Sequence, residues 1–98
     1  PGPPPPPGGE APSNLTAAVS GSVVRLNWLP PTSGGAVSSY IVEVGSTSGA
    51  SNLLTVNTGS MAPTFALTDV AAGTYYVRVR AITSAGTSAA SNEVQFTR

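Results

Sequence analysis

Apolar and polar side chains alternate regularly near the C-terminal end of the chain, in the stretch GTYYVRVRA that begins at Gly73. One parity of this stretch contains Tyr75, Val77, Val79 and Ala81, and the other contains Tyr76, Arg78 and Arg80. Successive side chains of a β-strand point to opposite faces of its sheet, so the first set would face a core and the second set water. The stretch therefore predicts the central strand of a sheet with one buried face.

Six further stretches show a similar alternation or a short apolar run, and loops rich in Gly, Pro, Ser and Asn separate them. They predict strands over residues 14–19, 22–29, 38–45, 53–56, 64–68 and 90–97. No stretch has a convincing helical period. Seven short strands at a spacing of roughly ten residues are typical of an antiparallel two-sheet sandwich. The pattern thus predicts an all-β, seven-stranded β-sandwich.

The inward parity of these strands predicts one contiguous core. Trp28 shares its parity with Val24 and Leu26, which favours burial over a role as a surface platform for sugar stacking. The predicted core consists of Leu15, Val24, Leu26, Trp28, Tyr40, Val42, Val44, Phe65, Leu67, Tyr75, Val77, Val79, Val94 and Phe96.

The first eleven residues differ in composition from the rest and include five consecutive prolines. Proline fixes φ and has no N–H to donate, so this segment cannot join a strand ladder and should form an extended polyproline rod. We therefore predict a Pro/Gly-rich linker over 1–11 and a sandwich domain over 12–98. A ligand for a proline-recognising domain is the alternative, although no basic residue flanks the prolines to orient it.

Composition removes several classes of function. Charged residues make up 8% of the chain, and four Arg balance four acids. Without a basic field, nucleic acid and membrane surfaces are not expected as partners. The chain has no Cys and no His, which removes disulfides, thiolate and imidazole metal ligands and a histidine base. No cofactor and no metal are predicted, and the absence of Cys leaves the redox compartment open.

The acidic residues do not form a catalytic pair in the predicted fold. Glu43 and Glu93 should face outward, with Arg78 and Arg80 between them. A glycosidase needs two opposed carboxylates, one with a raised pKa, whereas neighbouring arginines lower the pKa of a carboxyl group. We predict a cross-strand charge ladder and no catalytic, cofactor-binding or metal-site residue. The serines have neither His nor Lys as a base, so the protein is not predicted to be an enzyme.

Four motifs, in this order, resemble those of the fibronectin type III domain. They are Val24-x-Leu26-x-Trp28-x-x-Pro31, Tyr40-x-Val42-x-Val44, Phe65-x-Leu67-x-x-Val70, and Gly73-Thr74-Tyr75-x-Val77-x-Val79-x-Ala81 followed by Gly86-Thr87-Ser88. The resemblance implies an immunoglobulin-like sandwich with strands A-B-E in one sheet and C′-C-F-G in the other. It also implies a tyrosine corner, in which the Tyr75 hydroxyl bonds to backbone just upstream, with Ala71 as the expected partner. The turn at 70–73 lacks the usual proline and is one residue short.

The stretches 73–81 and 88–94 are similar to modules of bacterial secreted multidomain proteins, which implies an extracellular location, secreted or at the cell surface. Integrin-binding members of the family carry Arg-Gly-Asp before the last strand, but this chain has Ser84-Ala85-Gly86-Thr87 there. The resemblance therefore does not imply integrin binding for this chain. The loops at 31–37 and 84–87 are candidate binding surfaces, yet they contain no Tyr, Trp, Phe or Arg, the residues that dominate binding energies.

Two functions fit these observations. The favoured one is a non-catalytic structural module that spaces or presents neighbouring domains of a secreted bacterial multidomain protein, such as a polysaccharide hydrolase. The alternative is an adhesion or ligand-binding domain that recognises a glycan or protein through its loops. The expected partners are the neighbouring domains of the parent chain, with at most weak protein or glycan contact. The isolated chain is expected to be monomeric and not to insert into membranes.

Overall fold

The computed structural model describes residues 10–32 and 36–98. In these ranges the chain has eight strands and no helix, which confirms the all-β prediction. The strands are β1 (Ser13–Ser20), β2 (Val23–Leu29), β3 (Val37–Gly45), β4 (Leu54–Asn57), β5 (Thr64–Leu67), β6 (Thr74–Thr83), β7 (Gly86–Thr87) and β8 (Val94–Thr97). Residues 1–9 of the predicted linker and 33–35 of the loop after β2 lie outside the described residues.

The described strands form two antiparallel sheets. One sheet has the order β1-β2-β5, and the other has the order β4-β3-β6, with β7 and β8 both pairing with β6. These are the sheets A-B-E and C′-C-F-G that the resemblance implies. The stretch that begins at Gly73 is indeed central, because β6 pairs with β3 on one side and with β7 and β8 on the other.

The predicted core is confirmed. Phe65, Tyr75 and Val94 are partly buried and pack against a fully buried cluster that contains the rest of the predicted set and also Ala81. Trp28 is 4% exposed, and its ring meets that of Tyr40 edge to face with centroids 5.0 Å apart. Edge-to-face aromatic pairs of this kind add stability beyond the area they bury.

The predicted tyrosine corner is also present. The Tyr75 hydroxyl donates a hydrogen bond to the carbonyl of Ala71 at 2.8 Å, the expected partner. The Tyr75 ring stacks on Phe96, with centroids 5.2 Å apart. The corner thus fixes the turn before β6 although that turn lacks the usual proline.

The last strand is shorter than the predicted 90–97, because β8 begins at Val94. The chain pairs with β6 first at β7, within the predicted loop, and again at β8, and it leaves the regular ladder between them. The N–H of Ser88 donates to the carbonyl of Ala81 at 2.8 Å, and its hydroxyl accepts from the Ala81 N–H at 2.9 Å. Ser91 makes the same two bonds with Val79, at 2.8 and 2.9 Å. Serine hydroxyls therefore replace backbone carbonyls as acceptors, which lets the backbone depart from the strand.

The side chain of Asn92, in the segment between β7 and β8, bonds to the first strand of the other sheet. The Asn92 amide oxygen accepts from the Leu15 N–H at 2.9 Å, and its NH₂ donates to the Leu15 carbonyl at 3.1 Å. Beside Leu15, β1 has an irregular register between Ser13 and Thr16, with Asn14 at a φ of 53°. The amide thus bonds the backbone of β1 as a neighbouring strand would.

The described chain enters the sandwich at one end. Ser13 pairs with Leu29 at the end of β2. Just before it, the Glu10 carboxylate accepts a hydrogen bond from the Thr32 hydroxyl at 2.6 Å. The end of β2, the start of β3 and the turn after β6 lie at this same end, because β3 begins opposite the last residues of β6.

The chain finishes at the other end. The backbone of Arg98 exchanges two hydrogen bonds with Gly73, at 2.9 and 3.0 Å, just before the start of β6. The Arg98 side chain donates from Nε to the carbonyl of Gly21, in the turn between β1 and β2, at 3.1 Å. The sandwich is therefore entered and left at opposite ends.

Candidate functional site

The outward face of the five-stranded sheet carries a charged cluster of Glu43, Arg78 and Arg80. Glu43 lies on β3 directly opposite Arg78 on β6, and Arg80 is one step along the same face of β6. Oε1 of Glu43 accepts from Nε of Arg78 at 2.6 Å and from Nε of Arg80 at 3.2 Å. The Glu43 side chain is 14% exposed. Two arginines thus enclose one carboxylate.

This arrangement determines the protonation state of Glu43. Burial by itself raises the pKa of the Glu43 carboxyl, but the hydrogen bonds and charges of Arg78 and Arg80 outweigh it and hold the pKa below its usual value. A carboxyl group with a lowered pKa is ionised at neutral pH and has no proton to donate as a general acid. The cluster is a structural ion pair network on the sheet surface.

The predicted place of Glu93 in this ladder is wrong. Its carboxylate accepts from the Ser48 hydroxyl at 3.0 Å and from the Gly49 N–H at 3.1 Å, in the loop after β3. Both arginines turn instead to Glu43, which β3 holds directly beside them. The charge ladder is confirmed on the β3 side of β6 and absent on the β8 side.

The loop between β3 and β4 folds back on itself before it reaches Glu93. The side chain of Asn52 accepts from the Ser46 N–H at 3.1 Å, which closes the loop. A Cβ atom on Gly45 would overlap the carbonyl of Ala50, so a residue without a side chain is needed there. Because β6 lies between β3 and β8, the bonds to Glu93 draw this loop across β6. The tip of the loop is exposed, but the loop is tied to the segment before β8.

The second candidate binding loop, 84–87, is smaller than the sequence indicates. Gly86 and Thr87 form β7 and pair with the end of β6, which leaves Ser84 and Ala85 as a tight turn. The N–H of Ala85 donates to the Thr83 hydroxyl at 3.2 Å. The turn offers little surface to a ligand.

Two further findings concern residues 10–32 and 36–98. No three His, Cys, Asp or Glu side chains there lie close enough together to hold a metal ion. Among the same residues no helix is long and apolar enough to cross a membrane.

Comparison with known families identifies the domain. A family model described as the fibronectin type III domain matches residues 10–97. The chain belongs to the fibronectin type III family. Fibronectin type III domains are generally non-catalytic and commonly serve as structural or linker modules. Among curated proteins no significant match to this fibronectin type III domain was found.

Solved structures of other proteins have the same fold. A Fn3-like protein from Clostridium thermocellum is 26% identical with a TM-score of 0.73, over 87% of this chain and 88% of that one. A structure described as a myokine is 23% identical with a TM-score of 0.76, over 90% and 95% of the two chains. A structure of titin kinase and its flanking domains is 25% identical with a TM-score of 0.69, over 86% of this chain and 16% of that one.

Proposed function

We propose that this fibronectin type III domain spaces or presents neighbouring domains in a secreted bacterial multidomain protein, such as a polysaccharide hydrolase. The observation that carries the proposal is where the described chain enters and leaves the sandwich. The chain enters beside Thr32, at one end of the sandwich, and leaves beside Gly21 and Gly73 at the other. A domain with this arrangement adds its own length to the distance between its neighbours.

The chemistry of the surface supports the same function. The ionised Glu43 is already paired with Arg78 and Arg80, and the turn at Ser84 and Ala85 is small and polar. That turn contains no aromatic residue and no arginine, the residue types that dominate the binding energy of most interfaces. The similarity to a Fn3-like protein from Clostridium thermocellum supports a bacterial context.

Domain replacement in the parent protein tests the proposal. Exchanging residues 12–97 for an unrelated sandwich of similar length should preserve the parent's activity, because only length and the position of the ends matter. Deleting residues 1–97 should impair action on large or insoluble substrates more than on small soluble ones. Loss of activity in the exchanged protein would show that the surface of this domain contributes more than spacing.

Binding assays test the alternative of adhesion. The isolated domain is offered to a glycan array and to candidate surface proteins. Saturable binding tighter than about 10 μM, a free energy near 7 kcal/mol, that is lost on substitution in the loop at 31–37 would favour adhesion over spacing.

A further inference from the structure

The ion pairs on the outer face of the five-stranded sheet leave part of Arg78 without a partner. Its Nε donates to Glu43, but its two Nη atoms make no hydrogen bond within residues 10–32 and 36–98 and are not buried. Arg80 differs, because its Nη1 also donates to the carbonyl of Ser88, at 3.3 Å. The edge of Arg78 formed by the two Nη atoms can therefore bind an acceptor from outside the domain.

No carboxylate of the described chain fills this edge. Glu43 accepts from the Nε atoms of both arginines. Glu93, which lies just before β8, is bonded to the loop after β3, and Glu10 is bonded to Thr32 at the entry end of the sandwich. One carboxylate and two guanidinium groups leave the cluster with one positive charge. The face thus complements a ligand that carries a single negative charge.

Neutral polar groups lie beside this edge. Tyr76 is two residues before Arg78 on β6, so both side chains point to the outer face. Gln95 on β8 pairs directly with Tyr76. Neither the Tyr76 hydroxyl nor the exposed Gln95 amide has a hydrogen bond in the part of the chain that the structure describes. A hydroxyl and an amide each donate and accept, so they can bond to hydroxyl groups of a ligand.

A ligand on this face has to be recognised through side chains. The backbone of β6 is already bonded to β3 on one side and to β8 and Ser91 on the other. A peptide that crosses the face therefore finds no backbone partner for its own N–H and C=O groups. A second copy of the same face would bring like charges together, which is destabilising. A uronic acid fits better, because it carries a carboxylate and several hydroxyl groups on one sugar ring.

We propose that the outer face around Arg78 binds a uronic acid residue of an acidic polysaccharide. The carboxylate accepts from both Nη atoms of Arg78, the bidentate geometry that arginine and carboxylate pairs favour. Ring hydroxyls bond to the Tyr76 hydroxyl and the Gln95 amide. Glu43 is a positioning residue, because it holds the Arg78 guanidinium through Nε at 2.6 Å.

The binding is weak, because one bidentate pair and two neutral hydrogen bonds on an open face must offset the loss of freedom on association. We expect a dissociation constant of about 1 mM for one short oligosaccharide. The inference goes beyond the proposed spacing function and does not rest on it, since the domain can bind a sugar whether or not it spaces its neighbours.

An NMR titration tests the chemistry of the ligand. Trigalacturonic acid is added to the isotope-labelled domain, with its methyl ester and a peptide of three glutamates as controls. The acid should give saturable shifts at the amides of Tyr76, Arg78 and Gln95. The ester keeps the hydroxyls without the charge, and the peptide keeps the charge without the hydroxyls, so each should bind at least about tenfold more weakly. Equal binding of either control, or no saturation by the acid up to about 10 mM, would overturn the proposal.

Substitutions test the position of the site. Arg78→Gln should weaken binding of trigalacturonic acid at least about tenfold. Arg25→Gln, at an exposed arginine on β2 of the other sheet, is the matched control and should have no effect. Because Arg78→Gln also removes an ion pair, Gln95→Ala provides a second variant that leaves the cluster intact and should weaken binding about threefold. Equal losses in the two arginine variants, or undiminished binding in both Arg78→Gln and Gln95→Ala, would contradict the proposed site.

Discussion

At the scale of single residues, adjacent tyrosines on β6 have different roles. Tyr75 packs on Phe96 at the edge of the core and bonds to Ala71. Tyr76 has the opposite parity and is half-buried on the outer face, where its hydroxyl has no hydrogen bond within the described residues. Replacing each tyrosine by phenylalanine removes only a hydroxyl, which is bonded in Tyr75 and not in Tyr76. The two substitutions therefore measure what the hydrogen bond contributes apart from the ring.

Tyr75→Phe should lower the free energy of unfolding by about 0.5–1.5 kcal/mol, the usual net worth of one hydrogen bond. A larger loss is not expected, because the bond to Ala71 is exposed and water can replace it. Urea denaturation measures the change, and Tyr76→Phe is the control that should have little effect. Equal midpoints for the Tyr75 variant and the natural protein would remove the tyrosine corner as a source of stability.

Glu43 makes the stability of the domain dependent on acid pH. Its pKa is lower in the folded protein than in the unfolded chain, because Arg78 and Arg80 outweigh the effect of burial. Its stabilising contribution is fully present above the unfolded pKa of about 4.3. It is lost as the pH falls through the lower, folded pKa.

Glu43→Gln should therefore flatten the decrease in stability below about pH 5 and should cost about 1 kcal/mol at neutral pH. Denaturation at a series of pH values measures both effects, with Asp69→Asn as an exposed control. Moderate salt should weaken the natural protein only slightly. An unchanged pH profile in the Glu43 variant would show that the arginines do not stabilise the charged form.

At the scale of elements, the break between β7 and β8 depends on serine hydroxyls. Ser88 is 2% exposed, and its hydroxyl is the acceptor for the backbone N–H of Ala81 in the middle of the sheet. A hydroxyl can replace a carbonyl in this way because it both accepts a bond and donates one, here to the Ala89 carbonyl. The break is thus compatible with a buried strand β6.

Ser88→Ala should destabilise the domain by about 1–3 kcal/mol, because it leaves a buried N–H without an acceptor. Chemical denaturation measures the loss, and amide hydrogen exchange at Ala81 should become faster. Ser84→Ala, in the exposed turn, is the matched control. Unchanged protection of the Ala81 amide would mean that another acceptor replaces the hydroxyl.

At the scale of the whole molecule, the first and last strands are joined through Asn92. Its two bonds to Leu15 connect residues 77 positions apart, one on β1 and one in the segment just before β8. The core between the sheets is apolar packing, which is not directional. The amide therefore fixes the position of β1 against the second sheet.

Asn92→Ala should lower the free energy of unfolding by about 1–3 kcal/mol and should speed amide exchange of Leu15 more than that of residues in β6. Asn27→Ala, at an exposed position on β2, is the control. If the Leu15 amide kept its protection, β1 would be held by packing alone.

The sequence by itself determined the core and the strands before the last, and its resemblance to a known family implied the corner. Alternation has a period of two residues and depends on local side chains, so Val24, Leu26 and Trp28 could be placed inside before any partner strand was known. The lack of His, Cys and Lys is likewise a property of composition, and from it the sequence predicts that the chain has no catalytic or metal-site residue, which stays a prediction.

The tertiary structure decided which polar groups meet. Nothing near Glu93 in the sequence indicates Ser48 and Gly49, because these partners are 45 and 44 residues away. The break in the last strand likewise depends on β6 offering the N–H groups of Val79 and Ala81 at the spacing of Ser91 and Ser88. Hydrogen bonds need the right distance and direction, whereas burial needs only the right face, so local patterns predict the core but not these bonds.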